Sequence, residues 1–190
     1  MKNSSYQTIF ERTFLLEKLP EPLTRASEHW QFFDNYIDNT RICLRTIRVP
    51  KTDEYTYILE QKFPLNESDL SVCKVSRIYL SETEHQAFEL FEGREIKRNE
   101  RIETNEIRFN RYFIDYQDKQ IEIDVHLGKE IWGLVLGRVS FETAEEMQSF
   151  QIPAFAAIEV TQNKFFFGGN LIGKSFADVQ QEFAKMQNKN

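Results

Sequence analysis

The residues that could do chemistry in this chain are charged side chains spaced two apart. In Ile121-Glu122-Ile123-Asp124-Val125-His126-Leu127 four aliphatic residues alternate with three ionisable ones. Side chains two apart on an extended chain point the same way. Glu122 and Asp124 therefore direct two carboxylates into one space, as a hard cation such as Mg²⁺ prefers. On an open sheet the same pair is a solvated face, and His126, next in the row, fits a surface histidine. Arg41 and Arg45, in Arg41-Ile42-Cys43-Leu44-Arg45, share a face with Cys43 between them. With Lys62 on the following strand they could form a cationic wall, because guanidinium forks match phosphate oxygens. As exposed strand residues they would instead discourage edge pairing. Arg111, in Phe109-Asn110-Arg111-Tyr112, admits the same two readings.

These residues need strands to position them, and two-residue periodicity runs through most of the chain. Residues 9–16 carry Phe10, Phe14 and Leu16 on one face and Glu11 and Thr13 on the other. Further strands are expected at about 55–63, 72–80, 106–117, 133–141 and 156–167, in antiparallel order because most connections are too short for crossovers. Helices are fewer. Ser81-x-x-Glu84 is a capping box that opens a helix over Glu82–Glu92, with Gly93 placed to end it. Thr143-x-x-Glu146 opens a short one ending near Phe150. Phe176, Val179, Phe183 and Met186 recur at helical spacing behind Ser175. A fourth is expected over Pro22–Phe32. About eight two-faced strands with three or four helices define an α+β chain, mainly antiparallel β. Its charged faces lie either on the wet side of an open sheet or inside a closed barrel.

Bulk composition narrows the function classes. A chain of 190 residues is expected to form one domain over 1–190, with no repeat or low-complexity divider. A net charge of −6 argues against a nucleic-acid duplex or an anionic membrane as partner, although a local cationic cavity is compatible with it. There is no signal-peptide pattern at Met1–Gln7 and no apolar run near the roughly 20 residues of a spanning helix. Cys43 and Cys73 are no disulfide framework, so a cytoplasmic protein with free thiols is expected. No P-loop, dinucleotide glycine fingerprint, zinc spacing or nucleophile elbow is present. Gly168-Gly169 is expected to be a turn, with no helix directly behind it to cradle phosphate.

The order of the pieces resembles the CYTH family, also called triphosphate tunnel metalloenzymes. Phe10-Glu11-Arg12-Thr13-Phe14-Leu15 with Leu19-Pro20 is similar to that family's opening strand. The stretch from Asp34 to Arg45 resembles its arginine-bearing strand, and Leu59-Glu60-Gln61-Lys62 its lysine-bearing strand. Asn110-Arg111-Tyr112, Glu122-Ile123-Asp124-Val125, Gly133-Leu134-Val135-Leu136, Pro153 and Glu159-Val160-Thr161 follow in the family's order, so that the resemblance spans roughly residues 6–172. It implies an eight-stranded antiparallel tunnel barrel in which basic residues grip a triphosphate and acidic residues hold Mg²⁺ or Mn²⁺. Carried over, it gives Arg41, Arg45, Lys62 and Arg111 as phosphate-binding residues and Glu11, Glu122 and Asp124 as metal ligands, with Glu159 as a further acid.

The departures bear on function. The family's Glu-x-Glu-x-Lys is Ile9, Glu11 and Thr13 here. A usual arginine is Cys43, a usual lysine is Phe109, the seventh strand's Glu-x-Glu is Arg138-Val139-Ser140, and a late arginine is Phe165. The resemblance then implies a small-molecule polyphosphate or nucleoside triphosphate as partner, bound in one of two ways. One is a metal-dependent triphosphatase that hydrolyses a phosphoanhydride. The other is a catalytically degenerate binding module in which Arg77 and Arg138 replace lost metal charge. A third reading, a carrier of a hydrophobic or amphipathic ligand, rests on Phe109 and Phe165. The charged stretch Arg94–Arg101 is expected to be a solvated extension, and the sequence sets no oligomeric state.

Overall fold

The computed structural model describes residues 6–88, 95–98 and 101–187, with segments 95–98 and 101–104 described as backbone only. Among the described residues eleven strands form: β1 (Gln7–Leu16), β2 (Trp30–Tyr36), β3 (Ile42–Val49), β4 (Glu54–Asn66), β5 (Asp69–Leu80), β6 (Glu95–Arg98), β7 (Arg101–Thr104), β8 (Glu106–Tyr116), β9 (Lys119–His126), β10 (Val135–Phe141) and β11 (Ile158–Glu159). Three α-helices accompany them: α1 (Glu82–Gln86), α2 (Ala144–Ser149) and α3 (Phe176–Gln187). The sheet runs β10-β9-β8-β2-β3-β4-β5-β1 and closes where β10 pairs with β1, from Phe10 opposite Phe141 to Leu16 opposite Val135. All these pairings are antiparallel, so the fold is a closed eight-stranded barrel. Closure leaves no free edge among these eight strands. β11 adds two residues beside β1, and β6 with β7 forms a separate hairpin.

Closure also settles which face is which. On β9, Ile121, Ile123 and Val125 point outward into a buried cluster with Phe14, Val139, Phe141 and Phe150, covered by the α2 region. Glu122, Asp124 and His126 have the opposite parity and point into the lumen. A second apolar cluster joins lumen-facing Phe32, Ile107, Phe109 and Leu136 to Phe166 and Leu171, with α3 behind them through Val179, Phe183 and Met186. The C-terminal segment thus packs into the barrel from one end.

Three local expectations are corrected. Residues 22–29 form turns, with Leu23 N–H donating to Pro20 O and Ser27 N–H to Thr24 O, and Trp30–Tyr36 is a strand, not the end of a helix. Its alternation is hidden because Phe32 and Phe33 point opposite ways while Asp34 is buried as an ion-pair partner. The strand expected at 156–167 shrinks to β11. Beyond it the Asn163 side chain accepts from Phe165 N–H and starts a 3-10 turn over Lys164–Phe166. The helix opened by the Ser81/Glu84 capping box forms but is shorter than expected, ending at Gln86 with Ala87 as its C-cap, while residues 89–92 and Gly93 lie outside the described residues, as does part of Arg94–Arg101. At the expected turn, Gly168 has φ +53° and opens a 3-10 turn over Gly168–Leu171. Gly169 lies so close to the Tyr36 ring that a Cβ there would come within 2.9 Å of it. No helix among the described residues is long and apolar enough to cross a membrane.

Candidate functional site: a charge-paired lumen

The barrel encloses a cavity of about 620 Å³ bounded by inward-facing residues of its strands, by the β2–β3 turn and by residues 166–172. Every position singled out on β1 faces it: Ile9, Glu11 and Thr13. So do Arg41, Cys43, Arg45, Lys62, Arg111 and Glu122, together with Arg77, Phe109, Arg138 and Ser140. Asp124 lies at the wall, fully buried. Two expected residues lie elsewhere. Glu159 is on the outer side, where Arg12 on β1 donates to both its oxygens at 2.9 and 2.6 Å and also to Phe150 O. Phe165 packs among the apolar residues of the C-terminal segment and carries Lys174 over its ring, while its neighbours Phe166 and Phe167 reach the cavity.

The lumen's charges are paired with one another in three groups. Arg45 donates from Nε and Nη2 to the two oxygens of Asp34 at 2.6 Å and from Nη1 to Glu60 at 3.3 Å. Arg77 donates from Nε to the same Glu60 at 2.6 Å. Lys62 donates to both oxygens of Glu11 at 2.8 and 3.0 Å. Arg111 grips Asp124 from Nε and Nη2 at 2.7 and 2.8 Å and reaches Glu122 from Nη1 at 2.6 Å. Arg138 supplies a second guanidinium to Asp124. Phe32 stacks on Phe109 and lies beneath both Arg45 and Arg111, tying two of these groups together.

The acid–base balance follows from this pairing. Burial alone would raise the Asp124 carboxyl, but the Arg111 and Arg138 guanidinium groups hold it down at about 2. Glu60 is likewise held at about 2 by Arg45 and Arg77 against its burial. Glu11, opposed chiefly by Lys62, is lowered as well. Burial raises the thiols of Cys43 and Cys73, the latter to about 11, so neither is an activated nucleophile. His126, expected at the surface, is buried, with Nδ1 against Leu134 O and its ring beside Phe109, and burial lowers its pKa.

Two consequences bear on ligands. First, the donor set does not fit a divalent cation. Among the described residues no three His, Cys, Asp or Glu side chains come together in a way that could hold one. Asp124 is wrapped by two guanidinium groups, Glu11 carries Lys62, and Glu122 carries Arg111. A dication placed there would face fixed positive charge instead of the oxygen shell it needs. Second, the cations differ in what they have left to offer. Arg45 and Arg111 have all three guanidinium nitrogens on carboxylates. Arg77 and Arg138 each engage one nitrogen, and no partner among the described residues takes the others. Arg41, over the Phe63 ring at 4.3 Å, has no carboxylate partner among them.

Sequence reasoning missed Asp34 and Glu60 as members of the site. Both were in view within quoted motifs. Glu60 shares parity with Lys62, and that two-residue spacing was the available signal. Asp34 gave none, because residues 34–45, read together as one arginine-bearing strand, are the end of β2, a turn and the start of β3.

No protein-family model matches the chain, and a search of curated proteins finds no significant match. Solved structures do. One, a hypothetical protein designated NE1496, is 20% identical over 88% of this chain and 99% of its own, with a TM-score of 0.53. Another, the inorganic triphosphatase NE1496, is 22% identical over 86% of this chain and 93% of its own, with a TM-score of 0.52. At such identities the likeness is one of fold alone, and that fold is the closed eight-stranded tunnel barrel that the resemblance to the CYTH family implies.

Proposed function

We propose that this barrel is a binding module for a small compound carrying a triphosphate or polyphosphate chain, held by guanidinium and ammonium groups without a metal ion. The observation that carries the proposal is the position of Arg138. Its guanidinium lies on Asp124, among the carboxylates that a dication would otherwise neutralise. A fixed cation there does part of what a metal does for a phosphate chain, which is to supply positive charge in a partly dehydrated space. Arg41, Arg77 and the unengaged nitrogens of Arg138 are the first contacts for phosphate oxygens. Arg45, Lys62 and Arg111 contribute once their internal carboxylates share them. The naming of a protein of like fold as an inorganic triphosphatase agrees with this class of ligand.

Metal-dependent hydrolysis with Glu11, Glu122 and Asp124 as ligands is the less supported reading, because each of the three already carries an internal cation. Calorimetric titration of the protein with inorganic tripolyphosphate, first in EDTA and then in excess Mg²⁺, separates the two. The module predicts binding in EDTA that Mg²⁺ leaves within about threefold, where tenfold is 1.4 kcal/mol. Binding only in Mg²⁺, followed by phosphate release, would overturn it.

A further inference from the structure

We infer that the compound held in this cavity is a phosphate ester of an apolar group, not a free inorganic chain; this rests on the phosphate-binding reading above and narrows it. Two features of the cavity carry the inference.

The first is an apolar wall. Ile107, Phe109, Leu136, Phe166 and Leu171 belong to one contiguous cluster, and all five also line the cavity. These five are packed against one another and nearly buried, so the apolar surface a ligand can reach is chiefly that of the half-buried Ile9, Phe167 and Ile172 in front of them. This surface stands beside the ion-paired wall, with Arg111 lying over the Phe109 ring at 5.4 Å and Lys62 over the Phe167 ring at 5.6 Å. An inorganic phosphate chain has nothing to place against such a surface. Water beside it is released favourably when an apolar group takes its place.

The second is charge balance together with size. Among the described residues the lumen's basic side chains each meet internal acids, apart from Arg41, so a naked polyanion gains less here than in a lumen of uncompensated cations. A cavity of about 620 Å³ is also in the range of pockets that take organic molecules of drug size, roughly 300–1,000 Å³. The combination suits a diphosphate or triphosphate headgroup at the Arg77 and Arg138 guanidinium groups, with an aliphatic or aromatic remainder against Ile9 and Phe167.

The test compares three ligands in EDTA by calorimetry: pyrophosphate, geranyl diphosphate and geraniol. Geranyl diphosphate is expected to bind at least about tenfold more tightly than pyrophosphate, the gain of burying only two or three methylene groups at about 0.8 kcal/mol each. Ile9→Gln and Phe167→Gln, both at half-buried positions, are each expected to bring that ratio toward one. Equal affinity for pyrophosphate and geranyl diphosphate would overturn this inference and leave the phosphate-binding reading intact. Geraniol binding as tightly as geranyl diphosphate would overturn both, because the phosphates would then contribute nothing.

Discussion

Arg138 on β10 and Asp124 on β9 form an ion pair inside the barrel, set diagonally across two strands whose facing partners are Arg138 with Glu122 and Leu136 with Asp124. Asp124 has no exposed surface and already accepts two bonds from Arg111. The pair therefore joins a carboxylate that cannot reach water to a cation that still can, since the Arg138 side chain is 24% exposed. This asymmetry makes Asp124 a structural anchor and, under the proposed function, Arg138 the residue that meets the ligand.

The anchoring role predicts unequal effects on stability. Asp124→Asn removes the counter-charge that buried Arg111 shares with partly exposed Arg138, leaving Arg111 only Glu122, and is expected to cost about 3–5 kcal/mol. Arg138→Gln leaves Asp124 paired with Arg111 and is expected to cost about 1 kcal/mol. Urea unfolding of the two variants checks the order. Equal losses would mean that the two arginines contribute alike.

Stability should fall at acid pH over a defined window. Asp124 and Glu60 have folded pKa values of about 2, against ordinary values of 3.8 and 4.5. Both groups bind protons more readily in the unfolded chain, so their contribution is present above about pH 4.5 and is lost as pH falls toward 2. Asp124 is worth on the order of 2 kcal/mol and Glu60 on the order of 3 kcal/mol or slightly more at neutral pH by linkage. Urea midpoints measured from pH 7 to pH 2.5 should be level above pH 5 and then drop. A level profile down to pH 3 would contradict the pairing.

The close approach of Gly169 to Tyr36 predicts a coupled pair. Gly169→Ala forces a methyl group into the ring and is expected to cost about 1–3 kcal/mol by overpacking. In a Tyr36→Leu background the same change should cost less, because the obstructing ring is gone. Thermal unfolding of the two singles and the double measures the coupling, and additive losses would refute the contact.

Adding acids should create a metal site. Ser140 faces Glu11 across β1 and β10, and Arg138 faces Glu122 across β10 and β9. The double substitution Arg138→Glu, Ser140→Glu would surround Glu11, Glu122 and Asp124 with further carboxylate oxygens, the ligands a hard cation selects. Mn²⁺ binding followed by electron paramagnetic resonance should appear in the double variant and be at least tenfold weaker in the parent, or about 1.4 kcal/mol. Equal binding by both would show that the parent's acids suffice.

The fold was legible because alternation survives wherever one face meets the outer core. Ile121, Ile123 and Val125 mark β9 unambiguously, and their partners Glu122 and Asp124 then had to share the other face. Whether that face was a lumen was not legible from periodicity, since a wet sheet face and a barrel interior carry the same two-residue pattern. It was fixed by the β1–β10 closure, a contact between distant segments. β2 was missed because its inward side holds a buried acid, Asp34, whose partner Arg45 lies eleven residues on. The positions of the candidate residues could be read, but not their state. Spacing put Glu11 and Asp124 on the charged faces of their strands, and the family resemblance gathered them with Lys62 and Arg111 in one lumen, whereas their neutralisation of one another depends on register and side-chain reach across strands.

The central claim is that Arg138 stands where a metal would otherwise be needed, and diffraction from crystals soaked in tripolyphosphate with Mn²⁺ tests it most directly. The account predicts density for a phosphate chain against Arg138 and Arg77, with no manganese anomalous peak beside Asp124 or Glu122. A manganese peak within about 2.0–2.6 Å of their carboxylate oxygens, the coordination range of hard divalent cations, with Arg138 displaced from Asp124, would contradict it.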